Sequence, residues 1–218
     1  MPCSPPGLPG WEPRRRHNGV VSTQPNSFLT PEQYLEIERK AEYKSEYFNG
    51  EMFAMAGAKA MAGAKEAHNL VVMNTGAGLH RQFRSRPCRV YPSDMRVLVT
   101  ATSLYTYPDV IAVCGESRFL DEQKDTLLNP GLIVEVLSPS MEAYDRGRKF
   151  DQYKSIESLR EYLLVASDRM HADLYTRQPD GRCWLLTSAD TLESVLTLES
   201  IDAQLTLADL YEKVELAA

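Results

Sequence analysis

The sequence predicts a mixed α/β domain in which helices flank one central β-sheet. The chain has 218 residues, of which 43% are hydrophobic, and this is enough for one globular domain with a sizeable core. Apolar residues recur at helical spacing in some segments, whereas other segments are short apolar runs typical of strands. Because helical patterns stand on either side of a run of strands, we expect a mixed sheet covered by helices.

The first 27 residues differ in composition from the rest of the chain. Pro, Gly and Ser are frequent there, Arg14, Arg15 and Arg16 form a basic cluster, and apolar periodicity is absent. We therefore predict a disordered extension over residues 1–27 and a folded domain over residues 28–218. A solvated tail is the expected state of the arginine cluster, and contact of the arginines with phosphates is the alternative.

Charge, hydropathy and cysteine spacing narrow the possible functions. A net charge of −6 argues against a protein that coats nucleic acid, although a nuclease with a local basic patch or a bound metal remains open. No apolar stretch is long enough to span a membrane and no secretory signal is found, so we expect a cytoplasmic protein without membrane contact. The four cysteines show no CxxC pairing, which favours reduced thiols over a zinc site.

Helix signals mark four segments of the chain. Thr30-Pro31-Glu32-Gln33 is a capping box with proline at the first helical position, and the helix that it opens is expected to extend to about Ser45. Apolar residues at helical spacing predict a second helix over about 65–85. A third helix is expected over about 141–155, and a short one near 207–213.

Strand signals fill most of the remaining chain. A six-residue near-duplicate, residues 55–60 followed by 61–66, is interpreted as a lengthened loop or an extra helical turn. We expect a turn over 100–106, a loop over 115–129 and a hairpin turn at Pro179-Asp180-Gly181. The predicted strands span residues 51–56, 89–91, 94–99, 107–114, 132–137, 161–166, 172–176 and 183–186.

A carboxylate interrupts the most apolar strand of the chain. Glu135 lies within residues 132–137, a run typical of a strand covered on both faces. A buried, ionised glutamate needs a cation, a metal or a proton, and a buried salt bridge is the alternative to a metal site. Asp109 follows Pro108 at the start of the preceding apolar strand, where an ordinary turn is the alternative. Two carboxylates on neighbouring strands, with a lysine nearby, predict a site for a divalent metal and an activated water.

Three further side chains are candidates for this site. Lys149 precedes Tyr153 by one helical turn, which puts it at the edge of the packed face, although a surface ion pair with Asp145 is the default interpretation. A lysine at a metal site can position water or stabilise developing negative charge. Glu46, at the end of the first predicted helix, can add a carboxylate, and His68 can assist. A solvated glutamate and a histidine satisfied at a helix start are the alternatives.

Several short motifs follow one another in a fixed order along residues 28–214. They are Leu29-Thr30-Pro31-Glu32-Gln33-Tyr34, Glu46-Tyr47-Phe48-Asn49-Gly50-Glu51, His68-Asn69, Ser93-Asp94-Met95-Arg96-Val97, Tyr107-Pro108-Asp109, Val134-Glu135-Val136-Leu137-Ser138-Pro139-Ser140, Asp145-Arg146-Gly147, Lys149-Phe150 and Tyr153. This set resembles the PD-(D/E)XK nuclease superfamily and, more narrowly, the Uma2 family (DUF820), which implies a restriction-endonuclease-like core. The superfamily lysine belongs two residues after the glutamate, where this chain has Leu137, and the resemblance implies that Lys149 replaces it.

The resemblance implies a metal-dependent endonuclease that hydrolyses the phosphodiester bonds of nucleic acid, with DNA as the expected substrate. Asp109, Glu135 and the Val136 carbonyl would hold Mg²⁺ or Mn²⁺. Lys149 would orient the attacking water, and Glu46 would serve as an outer metal ligand or as a base. Because two sites make it easiest to cut both strands, a homodimer is expected.

Two other functions remain open from the sequence. The absence of a lysine at position 137 and the acidic net charge favour a catalytically silent module that binds nucleic acid or has a structural role. A metal-dependent hydrolase of a small phosphorylated substrate is the third possibility. A basic groove beside the site would favour nucleic acid, whereas a small closed pocket would favour the small substrate.

Overall fold

The structure is a computed structural model that describes residues 28–55 and 66–216. The predictions for residues 1–27 and for most of the duplicated segment lie outside the described residues. The strands of the described part are β1 (Ser45–Phe48), β2 (Glu51–Ala54), β3 (Cys88–Pro92), β4 (Arg96–Val99), β5 (Leu104–Thr106), β6 (Val110–Cys114), β7 (Thr126–Leu127), β8 (Leu132–Leu137), β9 (Glu161–Ala166), β10 (Ala172–Arg177), β11 (Trp184–Ala189), β12 (Val195–Leu198) and β13 (Ala203–Thr206). The α-helices are α1 (Pro31–Glu38), α2 (Glu66–Gln82), α3 (Glu142–Tyr144), α4 (Phe150–Tyr153) and α5 (Leu207–Leu210).

A six-stranded sheet forms the centre of the domain, in the order β11-β10-β9-β8-β6-β3. Strands β8 and β9 are parallel, and the other neighbours are antiparallel, so the predicted mixed sheet flanked by helices is confirmed. All six residues of β8 are buried, because helices and the second layer of strands cover both of its faces. The strand that carries Glu135 is therefore a central strand, as its apolar sequence predicts.

A second sheet of five strands, in the order β2-β1-β5-β4-β7, was not expected. Strand β1 forms where we predicted the end of the first helix, so the helix prediction is wrong beyond Glu38. The buried carboxylate of Glu38 accepts hydrogen bonds from the Ser45 backbone N–H at 2.9 Å and from the Tyr107 hydroxyl at 2.9 Å. These contacts turn the chain back, and the residues from Ser45 pair with β2 and β5 instead.

Short strands also occupy two segments that we predicted as a turn and a loop. The last part of residues 100–106 forms β5, and two residues of the loop over 115–129 form β7. Strands of two or three residues are too short to show an alternating pattern in the sequence. Their backbones are held by pairing, β5 between β1 and β4, and β7 parallel to β4. Beyond the last predicted strand, β12 and β13 form an additional two-stranded sheet.

The helices close the two faces of the central sheet. Helix α2 packs with α5 and β13 against one face, in a core that contains Val71, Leu79 and Val134. The helical segment over residues 142–153 packs through Phe150 and Tyr153 against the other face. No helix of the described ranges is both long and apolar enough to cross a membrane.

The cysteines correct a further prediction. Cys88 and Cys114 stand opposite each other in the β3–β6 pairing and form a disulfide, so reduced thiols are wrong for this pair. Cys183 is free and exposed. The sequence showed no signal for the bridge, because the partners are 26 residues apart and meet only when the two strands pair.

Candidate active site

Strand pairing brings Asp109 and Glu135 to the same end of the central sheet. Val110, which follows Asp109, pairs with Val134 across the β6–β8 ladder. The Val136 backbone N–H donates to Asp109 Oδ2 at 2.8 Å, which fixes the aspartate beside the strand that carries Glu135. Asp109, directly before β6, therefore lies beside Glu135 in the neighbouring β8, and both line the same cleft.

Glu135 is buried and has two donors on one oxygen. Lys149 Nζ lies 2.8 Å from Glu135 Oε1, and the Tyr153 hydroxyl donates to the same oxygen at 2.9 Å. Burial raises the pKa of Glu135 well above its ordinary value, Lys149 opposes this effect, and the charges of Asp145 and Asp109 add to it. For Glu135, burial and the neighbouring negative charges thus outweigh the attraction of the Lys149 ammonium.

A single ammonium group joins three carboxylates in this site. Besides Glu135, Lys149 Nζ lies 3.6 Å from Asp145 Oδ1 and 3.7 Å from Glu46 Oε1. Burial lowers the pKa of Lys149, but the charges of these three carboxylates raise it well above its ordinary value. The side chain of Lys149 is only 6% exposed. Lys149 therefore belongs to a buried cluster of charges, and the prediction of a surface ion pair with Asp145 is wrong.

Glu46 reaches the site from a strand. It lies in β1, so the prediction that it sits at a helix end is wrong, although the carboxylate does lie beside Lys149. The Thr106 hydroxyl donates to Glu46 Oε1 at 2.5 Å, and the Tyr144 hydroxyl donates to Oε2 at 3.4 Å. The unexpected β1–β5 pairing thus places a carboxylate that the sequence located on a different element.

His68 lies against Asp109 near the start of α2. Its Nε2 is 3.4 Å from Asp109 Oδ2, and its Nδ1 is buried without a hydrogen-bond partner in the described part of the chain. The imidazole also faces the Val136 backbone. The sequence left His68 open between a site residue and a structural histidine, and the structure places it at the site despite the duplication that precedes it.

A π-helical turn positions the lysine. Residues Asp145–Lys149 form this turn between α3 and α4, and both of its end residues are buried. A π turn has i→i+5 bonding and is wider than an α turn, and it often occurs at functional sites. Here Asp145 and Lys149 both face the cluster, and Tyr162 anchors the turn by donating to the Asp145 carbonyl at 3.1 Å.

The site lies in a cleft of about 1600 Å³. The lining is acidic, with eight carboxylate side chains and three lysine or arginine side chains among the described residues. The carboxylates are Glu42, Glu46, Asp109, Glu135, Asp145, Asp151, Asp168 and Glu215, and the cations are Lys44, Arg148 and Lys149. The cleft is therefore neither the basic groove nor the small closed pocket that would have separated the candidate functions.

The chemistry of these residues fits a hard divalent cation. Asp109 uses Oδ2 and Glu135 uses Oε1 for the hydrogen bonds and ion pairs of the described residues, which leaves one oxygen of each carboxylate for another ligand. Mg²⁺ and Mn²⁺ prefer such oxygen donors. The excess of buried carboxylates over ammonium groups also favours an added positive charge. Within residues 28–55 and 66–216, no group of three or more His, Cys, Asp or Glu side chains is arranged so that it could hold a metal ion.

Replacing Asp145 with Asn should stabilise the metal-free protein at neutral and alkaline pH. Burial raises the pKa of Asp145 to about 6, while Lys149 opposes this shift. Because the folded-state pKa lies above the unfolded value of about 3.9, the contribution of Asp145 to stability is full below pH ~4 and is lost as the pH rises through ~6. We expect the variant to exceed the wild type by about 1–3 kcal/mol at pH 8 and to match it near pH 4.

Urea denaturation with a chelator at both pH values tests this expectation. Asp151→Asn is the matched control, since Asp151 lies in the same helical segment and its side chain is 68% exposed. The control should behave like the wild type at both pH values. A wild type that is more stable than Asp145→Asn at pH 8 would show that the ionised carboxylate stabilises the fold.

Comparisons with known proteins agree with this architecture. Residues 31–208 match the model of the Uma2 family, described as "Putative restriction endonuclease". Two uncharacterized proteins of Synechocystis sp. are 36% and 37% identical over 168 and 170 residues, which cover 77% and 76% of this chain and 90% and 84% of theirs. The fold is similar to the crystal structure of "a putative nuclease belonging to DUF820" from Anabaena variabilis, with a TM-score of 0.66 and 16% identity over 86% of this chain and 99% of that one. Sequence and fold together show that this chain belongs to the Uma2 family.

Proposed function

We propose that the protein is a metal-dependent endonuclease that hydrolyses phosphodiester bonds in nucleic acid. The observation that carries the proposal is the buried ammonium of Lys149, 2.8 Å from Glu135, in a cleft that Asp109 also lines. This arrangement occurs in a chain of a family described as "Putative restriction endonuclease". We further propose that DNA is the substrate and that the protein acts as a homodimer in the cytoplasm.

Each residue of the site has a role in this proposal. Asp109, Glu135 and the Val136 carbonyl hold Mg²⁺ or Mn²⁺. When bound, the divalent cation lowers the pKa of water and offsets the charge of the scissile phosphate. Lys149 orients the attacking water and stabilises the negative charge that develops on the phosphate. Glu46, 3.7 Å from the Lys149 ammonium, takes up the proton of that water or acts as an outer ligand.

Tyr153 is a positioning residue in the same scheme. Its hydroxyl donates to Glu135 Oε1 at 2.9 Å, and its ring is fully buried against Tyr162. Lys149 and Tyr153 thus hold the same carboxylate oxygen from one helical segment. These two contacts fix the orientation of the Glu135 carboxylate, as hydrogen bonds to metal-ligating carboxylates do, and in this proposal Oε2 is the oxygen that binds the metal.

The rival function is a catalytically silent module on the same fold. The acidic lining of the cleft favours it, because a polyanion is repelled from such a surface unless cations are added. Leu137 at the position of the superfamily lysine favours it too. The two functions differ in metal-dependent cleavage of nucleic acid, which only the enzyme performs.

The test of the proposed function measures metal binding and cleavage on the same variants. We expect Asp109→Asn and Glu135→Gln to weaken Mn²⁺ binding in calorimetry and to lower the cleavage of plasmid DNA or labelled RNA by at least about 100-fold. Glu42→Gln is the control, because Glu42 is an exposed carboxylate at the rim of the same cleft. Circular dichroism checks that each variant is folded.

The outcomes separate the two functions. Folded variants that lose both Mn²⁺ binding and cleavage support the endonuclease. A wild type that binds no Mg²⁺ or Mn²⁺, with or without nucleic acid, supports the silent module. Normal cleavage by Glu135→Gln would remove Glu135 from the metal site.

A further inference from the structure

Two aromatic rings are exposed on the wall of the acidic cleft. Phe53 is 47% exposed and Tyr43 is 64% exposed, and both line the cleft. Phe53 stands directly opposite Glu46 in the β1–β2 pairing, so the ring and the carboxylate emerge from the same face of the sheet. A phenyl ring left in water beside a charged site suggests a ligand that provides a flat apolar surface.

Arg148 is the one lysine or arginine side chain of the cleft that has no acidic partner among the described residues. Lys149 contacts three carboxylates, and Lys44 pairs with Asp94 and donates to the Ser93 carbonyl. Arg148 lies in the same π-helical turn as Lys149, but its side chain is exposed. A free guanidinium next to the site can donate two parallel hydrogen bonds to the oxygens of a phosphate.

We propose that the cleft binds an unpaired strand of nucleic acid, whose bases stack on Phe53 and Tyr43 while a phosphate near the scissile bond pairs with Arg148. The inference rests on the proposed function and names its substrate class. Exposed aromatic rings bind unpaired bases through their flat faces, whereas the bases of a duplex are stacked on each other. A duplex is bound mainly through many phosphate contacts, and among the described residues that line this acidic cleft Arg148 is the one cation free for them. Stacking supplies affinity that does not depend on a basic surface.

The experiment measures binding of a fluorescently labelled 12-nucleotide single strand, as DNA and as RNA, and of the corresponding duplex. Fluorescence anisotropy with the full chain and Ca²⁺ gives Kd at several salt concentrations, and parallel reactions with Mg²⁺ give cleavage. We expect Phe53→Leu to weaken binding of the single strand about tenfold. We expect Arg148→Ala to weaken it similarly and to lower the salt dependence by about one phosphate contact, a change of about 0.7 in slope.

Two exposed residues outside the cleft lining provide matched controls. Phe28→Leu removes a ring that is 66% exposed, and Arg84→Ala removes an exposed guanidinium of α2's C-terminal flank. Neither control should change Kd or the salt dependence. Tyr43→Leu adds a second test of stacking at a position outside the regular strands.

The outcomes distinguish this inference from the proposed function. Tighter binding of the single strand than of the duplex, lost in Phe53→Leu and Arg148→Ala, supports the inference whether or not the strand is cut. Cleavage of duplex DNA with equal or tighter duplex binding supports the endonuclease and overturns the inference. Unchanged binding in both cleft variants overturns it as well, and a wild type that neither binds nor cuts overturns both proposals.

Discussion

Replacing Lys149 with Met is expected to destabilise the metal-free protein by about 3–5 kcal/mol and to abolish cleavage. The ammonium is the shared partner of Glu135, Asp145 and Glu46, and its side chain is 6% exposed. Methionine keeps much of the volume, so the loss reports mainly on charge. Without the ammonium, buried carboxylates face one another with no ion pair to offset their repulsion.

Chemical denaturation with a chelator, repeated with Mn²⁺, measures this effect. We expect Mn²⁺ to restore part of the lost stability, because a cation bound by the carboxylates replaces the missing positive charge. Cleavage should stay absent even when metal binding is retained, since the group that orients water is missing. Lys40→Met is the control, because Lys40 and its partner Glu36 are both highly exposed and the pair is expected to matter little. A Lys149→Met protein that cuts normally would exclude Lys149 from the reaction.

Replacing Arg96 with Met is expected to destabilise the protein by a similar amount, about 3–5 kcal/mol, although Arg96 is not itself a proposed metal ligand. Arg96 is 2% exposed and connects β4 to two neighbouring segments. Its guanidinium lies 2.9 Å from Asp125 Oδ2 and donates to the Tyr107 hydroxyl at 3.0 Å. Removal leaves Asp125 and Tyr107 without this buried partner, and Tyr107 opens the Tyr107-Pro108-Asp109 motif.

The variant should therefore weaken metal binding as well as stability. Tyr107 also donates to the buried Glu38, so the arginine helps hold the segment that delivers Asp109 to the cleft. Arg39→Met is a matched control, because Arg39 pairs with the same Asp125 from a side chain that is 31% exposed. We expect the control to cost about 1 kcal/mol or less and to bind Mn²⁺ normally. Equal losses in both variants would show that burial of Arg96 has no special weight.

The central strand and its neighbours were predictable because their sequence is dominated by burial. A continuous apolar run with β-branched residues predicts a central strand, and residues 132–137 form one with every residue buried. The neighbouring strand β6, which begins directly after Asp109, follows the same rule over Val110–Val113, which are all buried. A glutamate in the middle of a buried strand predicts a polar partner, and in the structure Glu135 contacts Lys149 and Tyr153. The roles of these residues in metal binding and catalysis stay predictions.

The second sheet and the position of Glu46 were not predictable from local sequence. No helix stop signal separates Glu38 from Ser45, and the helix ends through side-chain contacts with Ser45 and with the distant Tyr107. Strand β5 was not predictable either, because three residues are too few to show the alternation of a strand. It forms through pairing with β1 and β4 on its two sides. The disulfide likewise depends on a meeting of strands that cysteine spacing does not reveal.

The π-helical turn over Asp145–Lys149 sets a strict requirement on chain length at the site. Because each residue of a helical turn adds one step of rotation about the axis, a one-residue deletion within the turn would change the angle between the Asp145 and Lys149 side chains and shorten the segment. The ammonium would then leave Glu135 even though every residue type of the cluster was still present. Single-residue insertions and deletions between Asp145 and Lys149 should therefore inactivate related sequences that keep all the site residues. The spacing of this segment would then be a better marker of an intact site than the presence of a lysine.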